Sequence, residues 1–306
     1  MVNKYRLDAD RVWHRARRKA FWAKLFSSLG SGHEDRIRSF DEIGRRLRLT
    51  NTIYRGVQSI PLDKIIGSVG RYQDFARAFL PTRQIDAERW KQVAAAYLNP
   101  NSGGVPPIEV FKVGGSYFVK DGNHRVSVVR QLGNPDIEAY VWEYNVPLAD
   151  VGDTGIDDLL LKAERQEFLS RSRLDELRPQ HHIAFTLPGG YLDLLAQIAG
   201  YQDVLSRIDE ADISYEDAVT AWYDMVYETT VQIIAREGLL DMFPDRTSGD
   251  FFVWVTRHHR ELKAHYGSGS ARLTQSIRAF RRKQRVGIRA ILRRVFERLW
   301  LDRSRS

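Results

Sequence analysis

The fold is decided by one stretch of the chain, Tyr117-Phe118-Val119-Lys120-Asp121-Gly122-Asn123-His124-Arg125-Val126-Ser127-Val128. Its first half predicts a strand, and the residues after Gly122 predict a helix that ends before Gly133-Asn134-Pro135. A strand that leads through one glycine into a helix points the free backbone N–H groups of the first helical turn into the space beyond the strand. Together with the helix dipole, these groups predict an anion site.

Polar side chains in and near this stretch are candidates to hold a phosphate. Arg125 offers a planar fork of donors, and His124 offers a donor whose charge responds to a bound anion. Gly122 allows an unusual φ or a close approach of the backbone. The candidate nucleotide-binding residues are Gly122, Asn123, His124, Arg125, Arg71 and Lys120.

Asp121 has two interpretations. Next to bound phosphates it would be the general base of a phosphoryl transfer, which makes it the candidate catalytic residue. Alternatively, its carboxylate only stabilises the N-terminus of the helix. A plainer interpretation of the whole stretch is also open, with Asp121-Gly122 as a turn, Asn123 as a helix cap and Arg125 in a surface ion pair.

The surrounding residues predict a compact α+β unit between residues 59 and 145. Gly114-Gly115 closes a predicted hairpin, and Pro61 marks a predicted edge strand because proline is tolerated there. Strands are predicted at residues 59–62, 108–113, 117–120 and 137–142, a helical turn at residues 63–68, and helices at residues 71–79, 88–98 and 123–132.

The rest of the chain predicts helices almost alone. The predicted helices lie at residues 9–29, 39–49, 157–177, 190–207, 214–237 and 249–265, followed by a long amphipathic helix from Leu273 to Leu301. We therefore expect four segments: a basic helical N-terminal extension (1–50), an α+β domain (51–146), a helical domain (151–268) and a basic amphipathic helical tail (269–306).

The key stretch resembles a known superfamily. Asp121-Gly122-Asn123-His124-Arg125, between a hairpin and a helix that ends Arg130-Gln131-Leu132-Gly133, resembles the signature of the ParB/sulfiredoxin superfamily. Ser59-Ile60-Pro61-Leu62-Asp63-Lys64-Ile65, followed by Arg71-Tyr72-Gln73, is similar to the first box of that domain. The resemblance covers roughly residues 53–143.

The resemblance implies a ParB/sulfiredoxin-like nucleotide-binding domain. In that superfamily the matching Gly-x-x-Arg segment holds CTP in ParB proteins and ATP in sulfiredoxins, so a nucleoside triphosphate, CTP or ATP, is the implied ligand, with Mg²⁺ as its companion. A further branch consists of small-molecule kinases with an Asp-Gly-His-His-Arg-like segment. His124-Arg125 is similar to the sulfiredoxins and these kinases, whereas ParB proteins usually have arginine at the position of His124.

Three departures limit what the resemblance implies. The cysteine of sulfiredoxins would fall at Asn123, and the chain has no cysteine, so sulfiredoxin reductase activity is excluded. The kinase pattern has histidine at the same position. Residues after 150 do not match the helix-turn-helix and dimerisation regions of ParB, which puts centromere-type DNA recognition in doubt.

Composition narrows the class of protein further. With 306 residues and 43% hydrophobic residues, the chain can build a large core, which excludes a disordered or disulfide-scaffold protein. The lack of cysteine also excludes a thiol nucleophile and Cys-ligated metal, and makes the cytoplasm the expected compartment. No apolar run approaches the ~20 residues of a membrane-spanning helix, so no transmembrane segment is expected.

The net charge of +8 is unevenly distributed. Residues 1–50 contain 13 Lys and Arg against 6 Asp and Glu, residues 51–270 contain 22 against 31, and residues 271–306 contain 12 against 2. The basic tail has three interpretations that do not exclude each other: it contacts nucleic-acid phosphates, it lies on an anionic membrane surface, or its apolar stripe packs on the body or on a second copy in a homodimer.

Two other groups of residues are weaker candidates for function. His181-His182 and His258-His259 suggest metal ligands, but no carboxylate stands at a recognised ligand spacing, so no metal site is expected. The aromatic residues Trp222, Tyr223, Tyr227 and Trp254 follow helical spacing and are expected in the core.

The leading hypothesis from the sequence is a ParB-like nucleotide-binding protein with a regulatory or nucleic-acid-associated role. The alternative is a small-molecule kinase that uses ATP or ADP, with Asp121 as the general base. A ParB-like nuclease is third, because the sequence shows no carboxylate cluster for metal-dependent cleavage.

Overall fold

A computed structural model of the chain describes residues 2–27, 37–70, 75–76, 79–81, 86–238 and 240–266. The chain divides into two compact units, Met1–Ala163 and Glu164–Ser306. The first combines a sheet with helices, and the regular elements of the second, over its described residues, are helices. This mixed architecture is compatible with the predicted α+β class.

Six strands of the first unit form one mixed sheet. Its helices are α1 (Val2–Ser27), α2 (Phe40–Arg46), α3 (Ala87–Leu98), α4 (Asn123–Leu132) and the start of α5 (Ile156–Ser172). Its strands are β1 (Arg38–Ser39), β2 (Thr52–Pro61), β3 (Ile65–Ser68), β4 (Phe75–Ala76), β5 (Leu80–Pro81), β6 (Ile108–Val113), β7 (Ser116–Asp121) and β8 (Asp136–Tyr144). The sheet order is β1-β3-β7-β6-β8-β2, and β4 pairs with β5 separately.

Strand β7 lies in the middle of this sheet. It pairs with β6 in antiparallel fashion, as the predicted hairpin requires, and with β3 in parallel. The helical turn predicted at residues 63–68 is wrong from Ile65 on, because Ile65–Ser68 is extended and pairs with β7. Because parallel strands end at the same edge, the residue after β3, Val69, lies beside the end of β7, and its N–H donates to Val119 O at 2.9 Å. The helix that follows β7 therefore begins at an edge formed by two strands.

Each face of the sheet is covered by helices. Val119 and Tyr117 point into a core that contains Val126 of α4 and Trp90 of α3. Phe118 points to the opposite face, into a second core with residues of α2 and α5. The alternation along β7 thus assigns each of its side chains to one face or the other.

The helix predicted at residues 71–79 is wrong for the residues that the structure describes there. Phe75–Ala76 and Leu80–Pro81 pair as short antiparallel strands, and Phe79 has a left-handed backbone with φ 56°. Phe75 and Phe79 are both buried, at 1% and 0% exposure. Their spacing of four mimics a helical stripe, but the chain instead reverses direction to bury both rings. Residues 71–74 and 77–78 lie outside the described residues.

The second unit confirms the predicted helices over its described residues. They are α6 (Leu174–Leu177), α7 (Gly190–Ile208), α8 (Tyr215–Trp222), α9 (Thr229–Arg236) and α10 (Ser248–Tyr266), with a π-helical segment at Tyr223–Glu228 between α8 and α9. Trp222 and Tyr227 are buried at 1% and 2% exposure, as expected of core residues, whereas Tyr223 and Trp254 are only half-buried. The predicted tail, 269–306, lies outside the described residues. Among the described helices, none is long and apolar enough to cross a membrane.

Candidate functional site

Gly122 joins β7 to α4 in a conformation that few other residues could adopt. Its backbone is left-handed, with φ 104° and ψ 22°. A Cβ atom at this position would lie 2.5 Å from Cγ2 of Ile108, a residue that is fully buried. Both the backbone angle and the space therefore require glycine, as the sequence suggests.

The first turn of α4 borders a cleft. Val126 N donates to Gly122 O at 3.0 Å, which closes the first turn of the helix. The N–H groups that precede it, at residues 123–125, have no acceptor within the helix because no earlier turn exists. These residues line a cleft of about 460 Å³. The predicted arrangement of strand, glycine and open helix start is present.

The opposite wall of the cleft is one face of α3. Arg89, Gln92, Val93 and Ala96 line it. Their spacing of three, four and seven residues puts them on a single side of the helix. Gly104, Val105 and Pro106, from the loop that follows α3, form a further part of the lining.

A buried hydrogen bond holds the two walls together. The indole Nε1 of Trp90 on α3 donates to Oγ of Ser127 on α4 at 2.9 Å, and both residues have 0% exposure. Trp90 also packs against Trp13 of α1, with ring centroids 5.2 Å apart. The width of the cleft is thus set by core packing and not by the cleft residues themselves.

His124 and Asn123 are buried at the start of α4, at 8% and 6% exposure. The His124 ring meets Phe75 edge to face, with centroids 5.9 Å apart. The Oδ1 atom of Asn123 is shielded from solvent and accepts no hydrogen bond from any of the described residues. Both side chains therefore belong to the floor of the cleft rather than to its surface.

Arg125 binds the chain itself as well as lining the cleft. Its Nη1 donates to Pro106 O and to Pro107 O, each at 2.7 Å, and its Nη2 donates to the carboxylate of Asp121. The guanidinium carries five N–H groups, so two remain for a ligand. Arg125 thereby fixes the loop that forms part of the cleft, a role that the sequence did not reveal.

Asp121 lies at the cleft with 63% of its side chain exposed and pairs with Arg125 four residues on. Its carboxylate is thus accessible while one oxygen accepts from the guanidinium. The plainer sequence interpretation expected Arg125 in an ion pair, which the structure shows, but its helix cap is wrong: the N-cap residue is Gly122, and Asn123 is already the first residue of α4. The exposed carboxylate is compatible with the general-base interpretation, which stays a prediction.

Lys120 borders the cleft, but the structure does not bring its ammonium together with His124 and Arg125. Lys120 follows Phe118 in the alternation of β7, and its Nζ lies 2.9 Å from Glu109 Oε2 and 4.8 Å from the ring centroid of Trp142. These contacts are on the face of the sheet opposite α4. Arg71, the other predicted accessory cation, lies outside the described residues.

Sequence reasoning missed one cation on the cleft, Arg89. It is exposed, and among the described residues no carboxylate forms an ion pair with its guanidinium. Its backbone N–H donates a hydrogen bond to Oδ1 of the helix-capping residue Asp86 at 3.0 Å, which fixes the first turn of α3. The available signal was its position on the same helical face as Gln92 and Val93, but no motif marks that face.

Two further groups shape the electrostatics around α4. Burial raises the pKa of the Tyr97 hydroxyl on α3, an effect that the charge of Arg125 opposes. At the other end of α4, burial lowers the pKa of the Arg130 guanidinium, and the negative charge of Asp63 partly opposes this shift. Arg130 donates to Ile65 O at 2.7 Å and also to Leu62 O, so it anchors the helix to the start of β3 and to the segment before it.

Within the described parts of the chain, no group of three His, Asp or Glu side chains comes together as a metal site. His181 is partly buried, and burial lowers its pKa, with a smaller contribution from the charge of Arg165. The cleft at α4 is therefore the site whose chemistry is best defined: backbone donors, a buried histidine and two arginines around a space for a small molecule.

Comparison with known proteins gives weak matches only. No family model and no curated protein matches the chain. The crystal structure of sulfiredoxin from Arabidopsis thaliana is similar over 28% of this chain and 82% of that chain, with 27% sequence identity and a TM-score of 0.21. A Pnob8-like ParB-N domain is similar over 80% of this chain and 86% of that chain, with 12% identity and a TM-score of 0.20.

Proposed function

We propose that the first unit is a ParB/sulfiredoxin-like domain that holds the phosphates of a nucleotide, CTP or ATP, at Gly122–Arg125. The observation that carries the proposal is the open N-terminus of α4 on a cleft of about 460 Å³. Backbone N–H groups and the helix dipole favour phosphate at such a position. The volume lies in the range of small-molecule sites, about 300–1,000 Å³.

Backbone and side-chain groups bind different parts of the proposed ligand. The open N–H groups of α4 bind one phosphate, and His124 and the two remaining N–H groups of Arg125 add donors on the same side. Arg89 approaches from α3 and supplies a charge for a second phosphate. The carboxylate of Asp121 at the cleft would be a ligand for the Mg²⁺ that accompanies a triphosphate.

The proposed biological role is regulatory or nucleic-acid-associated, with nucleotide occupancy as the signal. The contact with DNA, or with another anionic surface, is assigned to residues 271–306, where 12 Lys and Arg stand against 2 Asp and Glu. Self-association through the apolar stripe of the same segment is the companion proposal. Both are tested by deleting residues 271–306: DNA binding that falls steeply with salt should disappear, and so should any dimer.

Substitution of His124 or Arg125 by alanine is expected to weaken nucleotide binding by at least about tenfold, because each change removes a charged or polar donor. Isothermal titration with CTP, ATP and ADP measures this effect and identifies the nucleotide. Lys120→Ala is the matched control, because its ammonium lies on the other face of the sheet, and it should bind as the original chain does.

Since Arg125 also holds Pro106 and Pro107, each variant is compared at equal folded fraction by circular dichroism. Unchanged nucleotide affinity in folded His124→Ala and Arg125→Ala would refute the site.

Phosphoryl transfer is the second candidate function, favoured by the exposed Asp121 carboxylate at the cleft. A carboxylate beside bound phosphates can accept the proton of an acceptor hydroxyl as that oxygen attacks the terminal phosphorus, while the bond from this phosphorus to the rest of the nucleotide breaks and the shortened nucleotide leaves. Asp121→Asn removes the base but keeps a hydrogen-bond acceptor for Arg125. We expect it to abolish label transfer from nucleotide to a pool of small-molecule acceptors while nucleotide binding persists. Equal transfer by the variant would eliminate Asp121 as the base.

A further inference from the structure

The amide oxygen of Asn123, a residue that lines the cleft, is a buried acceptor to which none of the described residues donates a hydrogen bond. The residue is 6% exposed, and it is the first residue of α4, so its side chain lies next to the backbone N–H groups proposed to hold phosphate. Buried polar atoms in folded proteins almost always have a partner, and leaving one without is costly. Because Asn123 lines the cleft, a ligand group that reaches this oxygen can supply the missing donor.

Phosphate itself cannot be that donor. Ionised phosphate oxygens only accept hydrogen bonds, and an amide oxygen beside them would repel them. The ligand must therefore carry an O–H or N–H group close to its phosphates. In a nucleotide, the sugar hydroxyls are nearest to the phosphates, and the amino group of the base is separated from them by the sugar.

We infer that Asn123 is a specificity residue whose Oδ1 accepts a hydrogen bond from a ribose hydroxyl, so that the cleft selects ribonucleotides over deoxyribonucleotides. This inference rests on the proposed nucleotide site and specifies its substrate class. A site that offers a buried partner to a hydroxyl rejects the analogue without it, because the partner is then left unpaired.

The test is a titration of the full chain with four ligands: the ribonucleotide that binds best, its 2′-deoxy and 3′-deoxy analogues, and inorganic tripolyphosphate. We expect the original chain to bind the ribonucleotide about tenfold more tightly than one of the two deoxy analogues. In Asn123→Ala that ratio should fall to about one, because the acceptor is gone. The affinity for tripolyphosphate, which has no sugar, should change less than the affinity for the ribonucleotide.

Two variants make the result specific. Gln92→Ala removes an amide from the opposite wall and should keep the tenfold ratio. Asn123→Asp keeps an oxygen acceptor and should also keep the ratio, although its negative charge should lower the affinity for every phosphate ligand. Melting curves confirm that each variant is folded.

Two results would overturn the inference while leaving phosphate binding intact. One is the same ratio of ribonucleotide to deoxynucleotide affinity in Asn123→Ala as in the original chain, and the other is a ratio of one in the original chain. Failure of both nucleotides and tripolyphosphate to bind would overturn the proposed function, and the inference with it.

Discussion

Gly122→Ala is expected to destabilise the protein by about 2–5 kcal/mol and to abolish phosphate binding. A residue with a Cβ atom costs about 1–2 kcal/mol in the left-handed conformation that Gly122 adopts. The new methyl group would also overlap Ile108, 2.5 Å away, and forcing extra volume into a packed core costs about 1–3 kcal/mol. The connection between β7 and α4 must shift to relieve the overlap, and the open N–H groups move with it.

Gly133 provides the matched control for this prediction. It ends the same helix in a similar left-handed conformation, with φ 86°, and a Cβ atom there would meet nothing within 4 Å. Gly133→Ala should therefore show only the backbone cost of about 1–2 kcal/mol and should keep nucleotide binding. Urea denaturation followed by circular dichroism measures both free energies of unfolding. Equal losses in the two variants would show that the approach to Ile108 does not require glycine.

Trp90→Ala is expected to cost about 3–5 kcal/mol, the usual loss for a fully buried large aromatic side chain. Because Trp90 sets the distance between α3 and α4, nucleotide affinity should fall with stability even though Trp90 does not line the cleft. Trp90→Phe is the finer test. It keeps most of the volume but leaves the Ser127 hydroxyl without its partner, for a loss of about 1–3 kcal/mol.

A double-mutant cycle separates this hydrogen bond from packing. The 2.9 Å separation of Trp90 Nε1 and Ser127 Oγ indicates that the two groups are coupled. The double variant, Trp90→Phe with Ser127→Ala, should therefore lose less stability than the sum of the losses in the two single variants. Thermal unfolding of the four proteins gives the coupling energy. Strictly additive losses would mean that the bond does not hold the walls of the cleft together.

The core of the candidate site was predictable because its signals are local. A strand, a glycine and a helix start follow one another within residues 117–128, and the structure has them at those positions. The same locality misled the prediction at Phe75 and Phe79, where a spacing typical of a helix belongs to a chain reversal. Short segments with two buried rings are ambiguous, since either geometry can bury both.

The functional meaning of single charges was less predictable. Lys120 is adjacent to Asp121 in sequence, yet its ammonium pairs with Glu109 on the other face of the sheet. Arg89 lies more than thirty positions before Gly122 and lines the same cleft. Neighbours in sequence can face apart on a strand, and distant residues can meet, so sequence proximity does not settle which charges reach a ligand.

By itself, the sequence determined that β7, Gly122 and α4 follow one another and leave the N-terminus of the helix open at the end of the strand. That outcome depends on backbone preferences within a few residues, which act before any long-range contact forms. Only the tertiary structure decided what surrounds that opening: the face of α3 with Arg89, the carbonyls that Arg125 binds, and the burial of Asn123. These depend on packing between residues far apart in the chain, which no local pattern encodes.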